Sequence, residues 1–169
     1  LFFIGCTNNK TDEHNHEASS LEPLAYTIYS EKTELFVEFK PLVVGSTSKF
    51  AAHFTILGES FLPITEGKIT VSLVIGEKGI RNSAETASSP GIFRLALTPT
   101  TAGNGKLVFD IETKDYTDQI VIKNVTVYPT ENTALENQTE STNSDEIVYL
   151  KEQAWKVEFA NAPVIKQTF

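Results

Sequence analysis

The stretch DEHNHE holds a dense set of metal-capable side chains, with His14 and His16 two residues apart and Asp12, Glu13 and Glu17 alongside. Imidazole nitrogen together with carboxylate oxygen suits zinc, cobalt or nickel in a pliable site. A dedicated site holds three or four preorganised ligands supported from behind. Two histidines in a polar segment therefore make an open, weakly binding one, and a plain solvated linker fits the same residues. Methionine is absent and Cys6 is the only cysteine, which disfavours soft capture of Cu(I). The third histidine, His53 in AAHFT, falls on the strand face opposite Phe50, Phe54 and Ile56, where a lone histidine is more often exposed or hydrogen-bonded than catalytic. No GxSxG nucleophile elbow occurs. TAGNGK lacks the GxxxxGK[ST] spacing of a phosphate loop. The expectation is a protein that is not an enzyme and requires no cofactor, with a transient divalent metal at His14 and His16 as the one chemistry on offer.

Cys6 has a different chemistry. LFFIG runs into it directly and TNNKTDEHNHEASS follows, an apolar segment cut off at a cysteine and replaced by polar chain. This resembles the lipobox of bacterial lipoproteins, in which a small residue precedes the cysteine that is lipidated and becomes the first mature residue. Gly5 and Ile4 fit that pattern, and Phe3 stands where leucine is usual. The resemblance implies that residues 1–5 are the remnant of an export signal and that Cys6 carries acyl chains, each contributing about 0.8 kcal/mol per buried methylene. The competing reading is a short apolar strand starting at Leu1. The absence of methionine, at position 1 as elsewhere, leads us to expect that the native start is missing.

Charge and length narrow the remaining classes. The 169 residues carry 14 Lys and Arg against 22 Asp and Glu, a formal net charge of -8. No basic surface is available to neutralise phosphates, so nucleic-acid binding is not expected. No run reaches the ~18 apolar residues of a membrane-spanning helix. One cysteine excludes an internal disulfide.

The elements that position these residues alternate with period two. KITVSLVI places Ile69, Val71, Leu73 and Ile75 on one face and Lys68, Thr70 and Ser72 on the other, the signature of a half-buried strand. KFAAHFTIL, GIFRLALT and GKLVFDIE repeat the pattern, and ELFVEF and QIVIKNVTVY complete six strands. The apolar parity of the last one switches between Ile122 and Val125, which predicts a bulge near Lys123 and Asn124. GES, TEG, GEKG, SSPG and TAGNG punctuate the runs as turns. Six to seven such strands without a helical stripe predict a mainly β fold, an antiparallel immunoglobulin-like β-sandwich.

Flanking stretches are too polar to bury a core. The expected organisation is a signal remnant at 1–5, a lipid-anchored flexible tether at 6–21, the sandwich at 22–129, an acidic linker at 130–146, and the start of a truncated second domain of barrel type at 147–169. Fully extended, the tether would span about 50 Å.

AAHFTILGESFLPITEGKITVSLVIGEKGIR, then SPGIFRLALTPTTAGNGKLVFDI, VTVYPT, a polar linker and IVYLKEQAWKVEFANAPV, taken in that order, resemble the N-terminal region of periplasmic adaptor (membrane-fusion) subunits of resistance-nodulation-division heavy-metal efflux pumps, in their lipoprotein-anchored form. The resemblance covers about residues 34–165. Its most specific parts are HFTILGESFLPITEG and LKEQAWKVEFA. It implies an accessory sandwich domain in the periplasm of a Gram-negative bacterium, held at a membrane through lipid on Cys6. The implied partners are an inner-membrane, proton-driven efflux pump and an outer-membrane channel protein. Some members present metal from His- or Met-bearing N-terminal segments. Here only His14 and His16 correspond, which tilts the cargo towards Zn, Co, Cd or Ni.

Two alternatives stay open. One is a surface or periplasmic sandwich lipoprotein that binds a carbohydrate or protein partner. The other is a small enzyme on a sandwich scaffold, which requires His53 to sit in a pocket with an acidic neighbour.

Overall fold

A computed structural model describes residues 20–59 and 61–138. They form ten strands and one short helix: β1 Leu24–Tyr29, β2 Thr33–Phe39, β3 Leu42–Val43, β4 Ser48–Ile56, β5 Leu62–Pro63, β6 Glu66–Ile75, β7 Lys78–Thr86, β8 Ile92–Leu97, β9 Gly103–Glu112, β10 Thr117–Tyr128 and α1 Glu131–Glu136. One sheet runs β1-β2-β4, with β5 and β8 both pairing along the far side of β4. The other runs β3-β10-β9-β6-β7. All pairs are antiparallel except β3 with β10, where Leu42 and Val43 lie parallel to Val127 and Tyr128. The chain crosses between sheets after β2, β3, β5, β7 and β8, the Greek-key path of an immunoglobulin-like sandwich.

Alternation builds the core as expected. Phe50, Ala52 and Phe54 of β4, Phe93 and Leu95 of β8, Ile69, Val71 and Leu73 of β6, and Leu107, Phe109 and Ile111 of β9 are all buried in one cluster between the sheets. Phe109 meets Phe50 and Phe54 across that space, ring centroids 6.3 Å apart in both pairs and inclined edge to face. Phe54 meets Phe93 in the same manner at 5.8 Å. These edge-to-face contacts suit the quadrupoles of the rings and fix one packing of a phenylalanine-rich core.

The bulge falls where the parity switch placed it. The β10 register against β9 slips between Ile122 and Val125, and Asn124 takes φ 57°. That left-handed conformation suits asparagine better than most residues. Past the slip, Val125 and Val127 return to the buried side.

Five elements differ from the sequence reading: the two-residue strands β3 and β5, and three longer ones. β1, LAYTIY, adds a strand before ELFVEF, joined to β2 by a tight hairpin in which the Ser30 N–H donates to the Thr33 carbonyl at 2.9 Å. β7, KGIRNSAET, is an exposed edge strand whose polar residues mask its alternation; Ile80 and Ala84 pack against the core. Within the expected acidic linker, 131–136 is helical, capped by the Thr130 side chain accepting from the Thr133 N–H, with Glu131 in the first turn where it meets the positive end of the helix dipole. Ala134 of this helix is buried with Leu21 and Val43 in a second small cluster. The Glu22 N–H donates to the Gln138 side-chain oxygen at 3.3 Å. The chain therefore enters and leaves the sandwich at the same pole.

Candidate functional site

Strand parity that turns Ile69, Val71 and Leu73 inward turns Lys68, Thr70 and Ser72 outward, and register sets their neighbours. Thr70 pairs with Ser83 of β7 on one side and Asp110 of β9 on the other, and Asp110 pairs with Gln119 of β10. Lys68 pairs with Glu112, which pairs with Thr117. Four strands thus present continuous rows of hydroxyl, amide and charged groups on the outer face of the second sheet.

The rows are held by side-chain bonds. Thr70 and Ser83 hydroxyls are 2.8 Å apart, and the Gln119 amide donates to the Asp110 carboxylate at 2.7 Å. Lys68 Nζ lies 3.5 Å from a Glu85 carboxylate oxygen, an exposed pair that contributes little stability. Lys68, Thr70, Ser83, Asp110 and Gln119, together with Arg81 and Asp118, line an open hollow of about 670 Å³. Cations at Lys68 and Arg81, anions at Asp110, Glu112 and Asp118, and hydroxyls between them offer both donors and acceptors along the sheet. Such a surface suits an extended polar ligand. Glu112, Thr117 and Asp118 belong to the pole opposite the one where Leu21 and Ala134 meet.

At that far pole the two sheets are tied together. Ser30, at the β1-β2 hairpin, donates its hydroxyl to the Asp118 carboxylate. Thr33 and Tyr116 hydroxyls are 3.2 Å apart, and Lys32 Nζ stands 5.6 Å from the centre of the Tyr116 ring. Burial raises the Tyr116 pKa, the Thr33 hydrogen bond partly counters it, and the Asp118 charge adds to the rise.

His53 lies on the opposite sheet, on its outward face. It is 8% exposed, with its ring edge-on to Phe36, its register partner, at 5.4 Å. Glu34, 3% exposed, pairs with Thr55, which places it diagonally from His53 on the same face. The Tyr29 hydroxyl donates to Glu34 at 3.0 Å, and burial first, then that bond and the Glu34 charge, push the Tyr29 pKa up. The acidic neighbour is present, and it is as deeply enclosed as the imidazole.

Cys6, His14 and His16 lie outside the described residues, as does the expected second domain at 147–169. Among the described residues no group of three or more His, Cys, Asp or Glu side chains is arranged to hold a metal ion. No helix of these residues is long and apolar enough to cross a membrane. Sequence reasoning recognised Lys68, Thr70 and Ser72 as one polar face. It missed Asp110, Glu112 and Gln119 as their neighbours, because pairing register cannot be read from any one strand.

No family model matches the chain, and no curated protein matches it either.

Proposed function

We propose that this chain is the N-terminal part of a lipid-anchored periplasmic adaptor, non-enzymatic, joining an inner-membrane proton-driven metal efflux pump to an outer-membrane channel. The observation that carries the reading is the meeting of Leu21 and Ala134 in one cluster. A domain whose ends meet can hang beside a continuous path from anchor to body, leaving the far pole free to face a partner. The sequence of segments running from HFTILGESFLPITEG to LKEQAWKVEFA, and Cys6 after LFFIG, support the same assignment. On this reading Cys6 carries the lipid and His14 and His16 offer divalent metal to the pump.

Disruption of the gene tests it. Cells lacking the protein should lose tolerance to one or more of Zn, Co, Cd and Ni, and tolerance should return with the intact gene. A Cys6→Ser variant should lose incorporation of a fatty-acid probe, and His14→Ala with His16→Ala should weaken metal binding by residues 6–20. Unchanged tolerance in the disrupted strain, with lipid still incorporated in Cys6→Ser, overturns the reading.

A second reading rests on the polar hollow over β6, β7, β9 and β10: a surface or periplasmic sandwich lipoprotein whose ligand is a carbohydrate or a protein partner. Titrating the chain with soluble polysaccharide fragments should then perturb the backbone amides around Asp110 and Gln119, and Asp110→Ala should abolish the change. Full metal sensitivity on gene disruption with no such perturbation decides for the adaptor.

A further inference from the structure

We infer that β1 is a self-association edge, at which two copies of this chain pair antiparallel about a two-fold axis through Thr27. β1 is a terminal strand of its sheet among the described residues, and LAYTIY contains no charge, no proline and no bulge. Sheet edges ordinarily carry one of those devices against further pairing. The other edges here do. β7 carries Lys78, Arg81 and Glu85, and β10 is broken by its bulge and partly covered by β3. β8 carries Arg94, and its Ala96 N–H is occupied by the Asn82 side chain at 3.1 Å. β1 instead leaves Leu24 37% and Tyr29 60% exposed.

The hairpin bond from Ser30 to Thr33 sets which backbone groups are free. Hydrogen-bonded pairs alternate along an antiparallel ladder. Ser30, Ile28, Tyr26 and Leu24 therefore bond to β2, and Ala25, Thr27 and Tyr29 turn their N–H and C=O groups outward. The bond from the Leu57 N–H to the Lys32 carbonyl obeys the same alternation on the other side of β2.

Only one symmetric register uses all three outward residues of both copies. Thr27 faces Thr27 of the second copy, and Ala25 faces Tyr29 in both directions. That register sets Thr beside Thr, a favourable cross-strand pair, and places the Tyr29 ring beside the small Ala25, which leaves room for it. Extended beyond the strand, it sets Glu22 opposite Lys32 at each end, so the flanking charges are complementary. The occupant it selects is a second copy of the chain.

Cysteine trapping tests the register. In the full chain with Cys6→Ser, Thr27→Cys should oxidise to a disulfide-linked dimer, because hydrogen-bonded partners have Cα atoms about 5.5 Å apart, within disulfide reach. Ala25→Cys alone should not, its two copies being displaced by four residues, or about 13 Å, along the strand. Ala25→Cys mixed with Tyr29→Cys should form the heterodimer. In sedimentation, the Cys6→Ser chain should gain mass with concentration, and Thr27→Lys, which sets two cations on the axis, should weaken the association roughly tenfold or more while melting as a folded protein. A monomer at every concentration up to about 1 mM overturns the inference. So does Ala25→Cys crosslinking as fast as Thr27→Cys.

Discussion

Leu21, ahead of the first strand, and Ala134, in the helix after the last, are buried together against Val43. The contact closes the sandwich at the pole where the chain enters and leaves. It depends on a small residue, since Ala134 is 1% exposed. Ala134→Asp should undock α1 without unfolding the sheets, lowering unfolding free energy by about 1–2 kcal/mol. Limited proteolysis should then cut within 130–138, where the unaltered chain resists.

Phe109 carries the centre of the core, touching Phe50 from one end of β4 and Phe54 from the other. Phe109→Ala should cost about 3–5 kcal/mol in chemical denaturation. Phe36→Ala, on the half-buried outer face, should cost less.

Gly105 sits opposite Val125, directly after the bulge, and its backbone presses on β6. A Cβ there would lie 2.3 Å from the Val74 carbonyl oxygen and 2.8 Å from the Ile75 side chain. Gly105→Ala must push β9 off β6 at this point, a destabilisation of about 1–3 kcal/mol by thermal melting. No comparable obstacle meets a Cβ at Gly79, whose nearest neighbour is 3.5 Å away.

The raised pKa of Tyr116 has a definite sign in stability. Its folded value lies above its unfolded one, so the contribution is present below the ordinary tyrosine value of about 10 and is lost as pH rises through the folded value. The melting temperature should hold through mildly alkaline pH and fall above about pH 10. Tyr116→Phe keeps the ring under Lys32 and removes the titrating hydroxyl, so its decline over that range should be shallower.

Much of this sandwich was legible because its buried strands alternate cleanly. Phe50, Ala52 and Phe54 share one face in KFAAHFTIL alone, and the break in parity after Ile122 locates the bulge. β7 escaped because an edge strand needs few apolar residues, and in KGIRNSAET only Ile80 and Ala84 pack against the core. The helix at 131–136 escaped because its stability comes from one buried alanine and a threonine cap, a signal too short to stand out in a Thr- and Glu-rich stretch. The polar hollow was half legible. Lys68, Thr70 and Ser72 follow from period two, but their alignment with Glu112 and Asp110 depends on register, which the fold as a whole sets.

The most direct test of the adaptor assignment is purification of the protein from detergent-solubilised cell envelopes through a tag on its own chain, followed by identification of what comes with it. The expected result is an inner-membrane proton-driven transporter and an outer-membrane channel in fixed proportion to the tagged protein, both lost when Cys6 is replaced and the 22–138 domain removed together. Recovery of the tagged protein with neither component, from cells that express both, would contradict it.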